Sequence, residues 1–144
     1  MEDFKKQLSF LELFIIDTVC FFDIFDYPLT ITELYNFFYT NGMEGESFTF
    51  DDVKEVLATS DSLKKVIKQT QAFYHLAGRS EIVNKREERY QNSISKYKIA
   101  LKAVKYLKHL PFIKFIGLCN NLSINNAEAD SDIDFFIITK SKRL

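Results

Sequence analysis

The chain has 144 residues, enough for one domain or two small ones, and 47% of them are apolar, which excludes a disordered chain. Its two cysteines, Cys20 and Cys119, stand far apart with no Cys or His beside either, so neither a zinc site nor a disulfide framework is encoded and a reducing cytoplasm is expected. The net charge of −1 hides an asymmetry: residues 1–62 carry three Lys/Arg against thirteen Asp/Glu, and residues 63–114 carry thirteen against three. Such a basic segment could contact nucleic acid. Attraction between the halves, or a solvated basic face, is preferred, because no Arg–aromatic cluster is evident.

In chain order, Met1-Glu2-Asp3 is acidic where a signal peptide needs basic residues. Residues 8–25 are apolar enough to resemble a membrane span, but Glu12, Asp17 and Asp23 interrupt them, and no membrane association is expected. Residues 7–22 are predicted as a helix buried on most sides, with part of its surface left for a partner. Asp26-Tyr27-Pro28-Leu29 breaks it. Thr30 with Glu33 forms a capping box for a helix over Ile31 to Tyr39, with Leu34, Phe37 and Phe38 inward. Asn41 to Glu46 reads as a loop. Thr49 with Asp52 opens a third helix, Phe50 to Ala58, with Val53, Val56 and Leu57 inward. A hairpin follows, from Leu63 to Lys68 and from Ala72 to Leu76, and Gly78 ends it. Three helices and a hairpin in this order predict a winged-helix-like module over residues 1–78. Its third helix carries Asp51, Asp52 and Glu55 against Lys54, which phosphate would repel, so a packing or protein-contact role is expected over DNA reading.

Arg79 to Leu110 has few breakers and predicts a long linking helix over residues 79–110. Ile82, Tyr90, Ile94, Tyr97, Leu101 and Val104 recur at helical spacing, and the other face carries Lys85, Arg86, Arg89, Lys96 and further lysines. Any nucleic-acid contact is expected here, and weak. His75 and His109 are isolated and receive no catalytic role. Residues 111–144 open with a strand, Phe112 to Leu118, then a polar turn, Cys119-Asn120-Asn121. Phe135-Phe136-Ile137-Ile138 reads as a buried strand that opens with Asp132-Ile133-Asp134. Residues two apart on a strand point the same way, so two carboxylates stand roughly 7 Å apart at the backbone. They repel, and each resists desolvation. A cation between them removes both costs, and oxygen ligands suit Mg²⁺. No P-loop, dinucleotide fingerprint, zinc knuckle, nucleophile elbow or repeat is present.

Strand, turn, short connection and a strand opening with Asp-x-Asp resembles the DNA polymerase beta-type nucleotidyltransferase superfamily. That family's pattern is a hydrophobic strand, Gly-Ser, roughly ten residues and Asp-x-Asp, with two metals in phosphoryl-transfer geometry. Ser131-Asp132-Ile133-Asp134-Phe135-Phe136-Ile137-Ile138-Thr139 matches the second half. Asn125-Asn126-Ala127, and Phe22 to Thr30, look like bacterial members with a winged-helix-like N-terminus. By spacing, Asn120-Asn121 stand where the family has Gly-Ser; the other register, Gly117-Leu118, puts the turn inside the strand. The resemblance implies an α+β fold in which residues 111–144 begin a nucleotidyltransferase core. It implies transfer of a nucleoside monophosphate from a nucleoside triphosphate to an acceptor that the sequence does not identify. Asp132 and Asp134 would be the catalytic residues and would hold Mg²⁺ or Mn²⁺, and Asn120, Asn121 and Ser131 would bind nucleotide. The family's third carboxylate lies on a later strand. With Leu144 so close to Thr139, the core is expected to be incomplete, and inactive unless a second copy or a partner completes its sheet. The rival expectations are a non-catalytic interaction or nucleotide-binding protein, and a winged-helix nucleic-acid binder.

Overall fold

Ser9 fixes where the first helix begins. In the computed structural model, which describes residues 8–38 and 48–141, its hydroxyl accepts from the Glu12 N–H at 3.3 Å and its own N–H donates to the Glu12 carboxylate at 2.6 Å. This capping box satisfies donors that the first helical turn leaves open. Helix α1 therefore runs Phe10–Asp23 and starts later than the expected residue 7, which lies outside the described residues. The same device opens α2 (Ile31–Asn36) at Thr30 and α3 (Phe50–Thr59) at Thr49. The expected end of the second helix at Tyr39, and the loop from Asn41 to Glu46, lie outside the described residues; α2 itself stops at Asn36.

The predicted first hairpin strand is corrected over its opening residues. Ser60 caps another helix, α4 (Asp61–Val66), by accepting from the Leu63 N–H at 3.1 Å, so Leu63 is helical. Extended backbone begins only at β2 (Ile67–Thr70), which pairs antiparallel with β3 (Phe73–Leu76); β3 also pairs with the two-residue β1 (Leu29–Thr30), giving the order β1–β3–β2. His75 is buried in this sheet: its Nε2 lies 2.9 Å from the Thr70 hydroxyl and its Nδ1 2.8 Å from the Leu76 carbonyl oxygen, which satisfies both ring nitrogens.

The core under this sheet is built from Leu11, Ile15, Val19, Leu34, Val53 and Leu63. Phe10, Asp17, Cys20 and Phe21 are exposed along one arc of α1, and its other ten residues are buried or half-buried, as expected of a helix covered on most sides with part of its surface left open. Phe37 is likewise exposed, whereas Phe38, Val56 and Leu57 pack against the core. Two polar ties close the unit. The Ser60 hydroxyl donates to the Glu12 carboxylate, joining the starts of α4 and α1. Arg79 reaches Asp23 at 3.1 Å and Asp26 at 2.5 Å, and these carboxylates raise its proton affinity further.

Gly78, at φ +86°, turns the chain into α5 (Glu81–Leu107), the long helix foreseen, shorter by a few residues at either end. The chain divides into two compact units, residues 1–84 and 85–144, so α5 begins in the first and continues in the second. In the second unit β4 (Ile113–Leu118) pairs antiparallel with β5 (Phe135–Thr139), and a one-turn helix, α6 (Asn120–Ser123), follows β4. Phe136, Ile137 and Ile138 are exposed, which corrects the expected buried strand: a two-stranded ribbon has no layer to cover both its faces. A Cβ at Gly117 would lie 2.8 Å from the exposed Phe115 ring, which would have to turn aside. The whole is a mixed α+β structure with small antiparallel sheets.

Burial raises the proton affinity of Glu12, but hydrogen bonds from Ser60 and Ser9 outweigh it and hold its pKa below the ordinary 4.5. A carboxyl whose folded pKa is depressed adds stability above its unfolded value and loses it as pH falls through the folded one. We expect Glu12→Gln to lower the urea midpoint at pH 7, and the difference from wild type to shrink as pH falls below 4.5 through the folded pKa, so that the acid limb flattens. Parallel midpoints for wild type and variant across that range would show that the Glu12 tie contributes nothing.

Candidate functional site

The connection between β4 and β5 cannot bury its backbone without partners. Helix α5 provides them from a polar stripe. The Arg86 guanidinium, itself buried, donates from Nη1 to the carbonyl oxygens of Ile124 and Asn125, each at 3.1 Å. Buried Ser93 accepts from the Ala127 N–H at 3.0 Å and donates to its own helix at Arg89 O. Arg89 pairs with Glu128 at 2.6 Å, and the Lys96 ammonium donates to Ser131 O at 2.5 Å. Inside the loop, the Asn126 N–H donates to Asn121 O at 2.7 Å, and Asn125 adopts a left-handed backbone at φ +56°. Leu122 and Ala127 are buried beneath it. The helix thus fixes the chain up to the residue before Asp132.

Of the apolar stripe read along this helix, Ile82 is buried and Tyr97 and Val104 are half-buried, but Tyr90, Ile94 and Leu101 are exposed, while Arg86, Ser93 and Ala100 are buried and Arg89 and Lys96 half-buried. Carbonyl oxygens in the loop need donors, and an apolar stripe supplies none. Arg86, Ser93 and Lys96 are the positioning residues that sequence reasoning missed. Their signal was present: polar residues at 86, 89, 93 and 96 share one helical face.

Asp132 and Asp134 lie just ahead of β5 in extended backbone, not within the strand. Alternation still governs them, for both are exposed while Ser131, Ile133 and Phe135 are half-buried. The Asp134 carbonyl accepts from the Cys119 N–H at 3.1 Å, which sets the first loop of the site against the second. All five residues singled out from the sequence, Asp132, Asp134, Asn120, Asn121 and Ser131, line one cleft of about 460 Å³, together with Cys119 and Leu122. Asn120 and Asn121, expected in a turn, form the start of α6; Asn120 takes the left-handed conformation at φ +53° that Asn tolerates. Its side-chain amide donates to Asp134 Oδ2 at 2.8 Å. The Ser131 hydroxyl donates to Glu128 O at 3.0 Å.

Among the described residues no three His, Cys, Asp or Glu side chains gather as metal ligands. The cleft nevertheless offers hard oxygen donors from two carboxylates and room for more. Mg²⁺ is commonly held by one or two carboxylates plus substrate phosphates and water, so the donor set fits that ion. Comparison with protein-family models, curated proteins and solved structures finds no match to this chain.

Ser93→Ala leaves the buried Ala127 N–H without an acceptor. We expect it to destabilise the protein by about 1–3 kcal/mol in urea denaturation, the cost of orphaning a buried donor. A change within about 0.5 kcal/mol, ordinary for an inert surface site, would remove Ser93 from the clamp.

Proposed function

We propose that residues 85–144 form a nucleotidyltransferase-like site that binds a nucleoside triphosphate with Mg²⁺ or Mn²⁺. The convergence of Asp132, Asp134, Asn120, Asn121 and Ser131 on one cleft carries this reading. In the reaction so proposed, an acceptor hydroxyl oxygen bonds to the α-phosphorus, the bond from that phosphorus to the bridging oxygen breaks, pyrophosphate leaves, and the hydroxyl proton passes to solvent or a base. Asp132 and Asp134 would hold the cation. A divalent ion, when bound, neutralises phosphate charge. Asn120 orients the Asp134 carboxylate through its amide, Asn121 offers its amide to the phosphates, and the Ser131 hydroxyl would donate to them by turning away from Glu128 O.

The same proposal reads the first unit as winged-helix-like, on its helices and its β1–β3–β2 sheet. Its α3 is capped by acids and carries Asp51, Asp52 and Glu55, which favours a packing or protein-contact role. The expected nucleic-acid affinity is therefore weak, falls with salt, and depends on the lysines of α5. Fluorescence anisotropy with labelled duplex DNA tests this, and tight sequence-specific binding at physiological salt would overturn it.

Titration calorimetry with Mg²⁺ and each nucleoside triphosphate should show modest binding by the wild type and none by an Asp132→Asn/Asp134→Asn variant. Equal binding by both removes the site. Transfer needs cations and acceptor held in line, and two carboxylates hold them loosely, so no enzymatic turnover is expected from the chain alone. Transfer of a labelled nucleotidyl group to RNA or protein that vanishes in Asp134→Asn would refute that last expectation while upholding the site.

A further inference from the structure

The second unit leaves one strand edge open. Among the described residues β5 pairs with β4 alone. At its two ends the Asp134 carbonyl accepts from the Cys119 N–H at 3.1 Å, and the Lys140 N–H donates to Phe112 O at 2.8 Å. Backbone groups along an antiparallel strand alternate in direction, so those of residues 134, 136, 138 and 140 address β4. The N–H and C=O of Phe135, Ile137 and Thr139 then point to the far side, where no described strand receives them. The outer edge of β4 is guarded: the exposed Lys114 sits at a break in register between Ile113 and Phe115. A lysine and a bulge are devices that keep other strands away. Between Asp134 and Lys140, β5 reads Phe-Phe-Ile-Ile-Thr, with no charge, proline or bulge.

This stretch complements its own reverse. With Ile137 on a two-fold axis, antiparallel pairing sets Phe136 opposite Ile138, Phe135 opposite Thr139, and Asp134 opposite Lys140 of the second copy. The outward N–H and C=O groups of Phe135, Ile137 and Thr139 meet their counterparts in the same register. Directly opposed residues stand about 4.5–5.5 Å apart at Cβ, where opposite charges attract and like charges repel. Parallel pairing in register puts Asp134 beside Asp134 and Lys140 beside Lys140, so charge selects the antiparallel arrangement. Both side chains are exposed, and the Asn120 amide takes Oδ2 of Asp134 and leaves Oδ1 for an ammonium. We propose that β5 is a docking edge for a second copy of this chain, pairing antiparallel with β5 of that copy about Ile137. The guarded β4 edge ends the joined sheet on either side, so the assembly closes as a two-fold dimer. The pairing uses residues of the second unit alone and does not depend on the nucleotidyl-transfer reading.

The test is sedimentation equilibrium of the full chain up to about 0.2 mM, above the micromolar range of specific but modest interfaces. A chelator keeps divalent cations from competing for Asp134. A monomer–dimer equilibrium is expected. Lys140→Glu sets acid against acid at both symmetry-related positions and should raise Kd about tenfold or more. Adding Asp134→Lys to the same chain should restore it. Ile137→Lys sets like charges on the axis itself and should leave a monomer, with circular dichroism checking that the fold is kept. A further readout needs no variant: amide exchange at Phe135, Ile137 and Thr139 should slow as the wild-type concentration is raised. A monomer at every concentration overturns the proposal. So does a dimer that survives Ile137→Lys, one indifferent to Lys140→Glu, or one in which those amides exchange as fast as in the monomer.

Discussion

A connection that leaves one strand and returns in the next must satisfy its own backbone, and in the second unit a helix does this for it. Arg86, Ser93 and Lys96 deliver donors or an acceptor to main-chain groups of residues 124–131. Bonds from charged donors of this kind contribute about 1.5–3 kcal/mol each, about twice a neutral one. That demand decides which face of α5 turns inward. Arg86 and Ser93 are buried and Arg89 and Lys96 half-buried on that face, while Tyr90, Ile94 and Leu101 stay exposed. The cleft is the by-product: the loop held in this way carries Asn120 and Asn121 at one end and Ser131, Asp132 and Asp134 at the other.

What could be read from sequence was what depends on neighbours in sequence. Thr30 with Glu33 and Thr49 with Asp52 announced two helices, because a capping box is closed within four residues. Ser9 with Glu12 obeys the same rule and was passed over amid the apolar run that follows it. Leu63 looked like a strand residue because its β-branched successors, Val66 and Ile67, look like strand residues; Ser60, three places earlier, makes it helical. The face of α5 was misjudged for another reason. Apolar periodicity identifies a stripe that seeks cover, but it does not say whether the same chain provides it.

The candidate site divides along the same line. Alternation along Ser131 to Phe135 was legible, since it needs only extended backbone, and the structure keeps it even though β5 starts after Asp134. The role of Asn120 was not. Its amide meets Asp134 across fourteen positions, a contact set by the loop's return and not by any local pattern. Nor could the exposed faces of the β4–β5 ribbon be foreseen from Phe136-Ile137-Ile138, whose composition is that of a covered strand.

Because α5 grips the loop mainly through main-chain oxygens and one N–H, it recognises the loop's path and is largely indifferent to the side chains along it. Every residue type presents the same carbonyl. Left-handed backbone at Asn120 and Asn125 restricts two positions, and burial restricts Leu122 and Ala127. The remaining cleft residues can change chemistry by mutation without losing their mooring. A scaffold of this kind separates the inheritance of shape from the inheritance of specificity, and new ligands can be explored there at small risk to the fold.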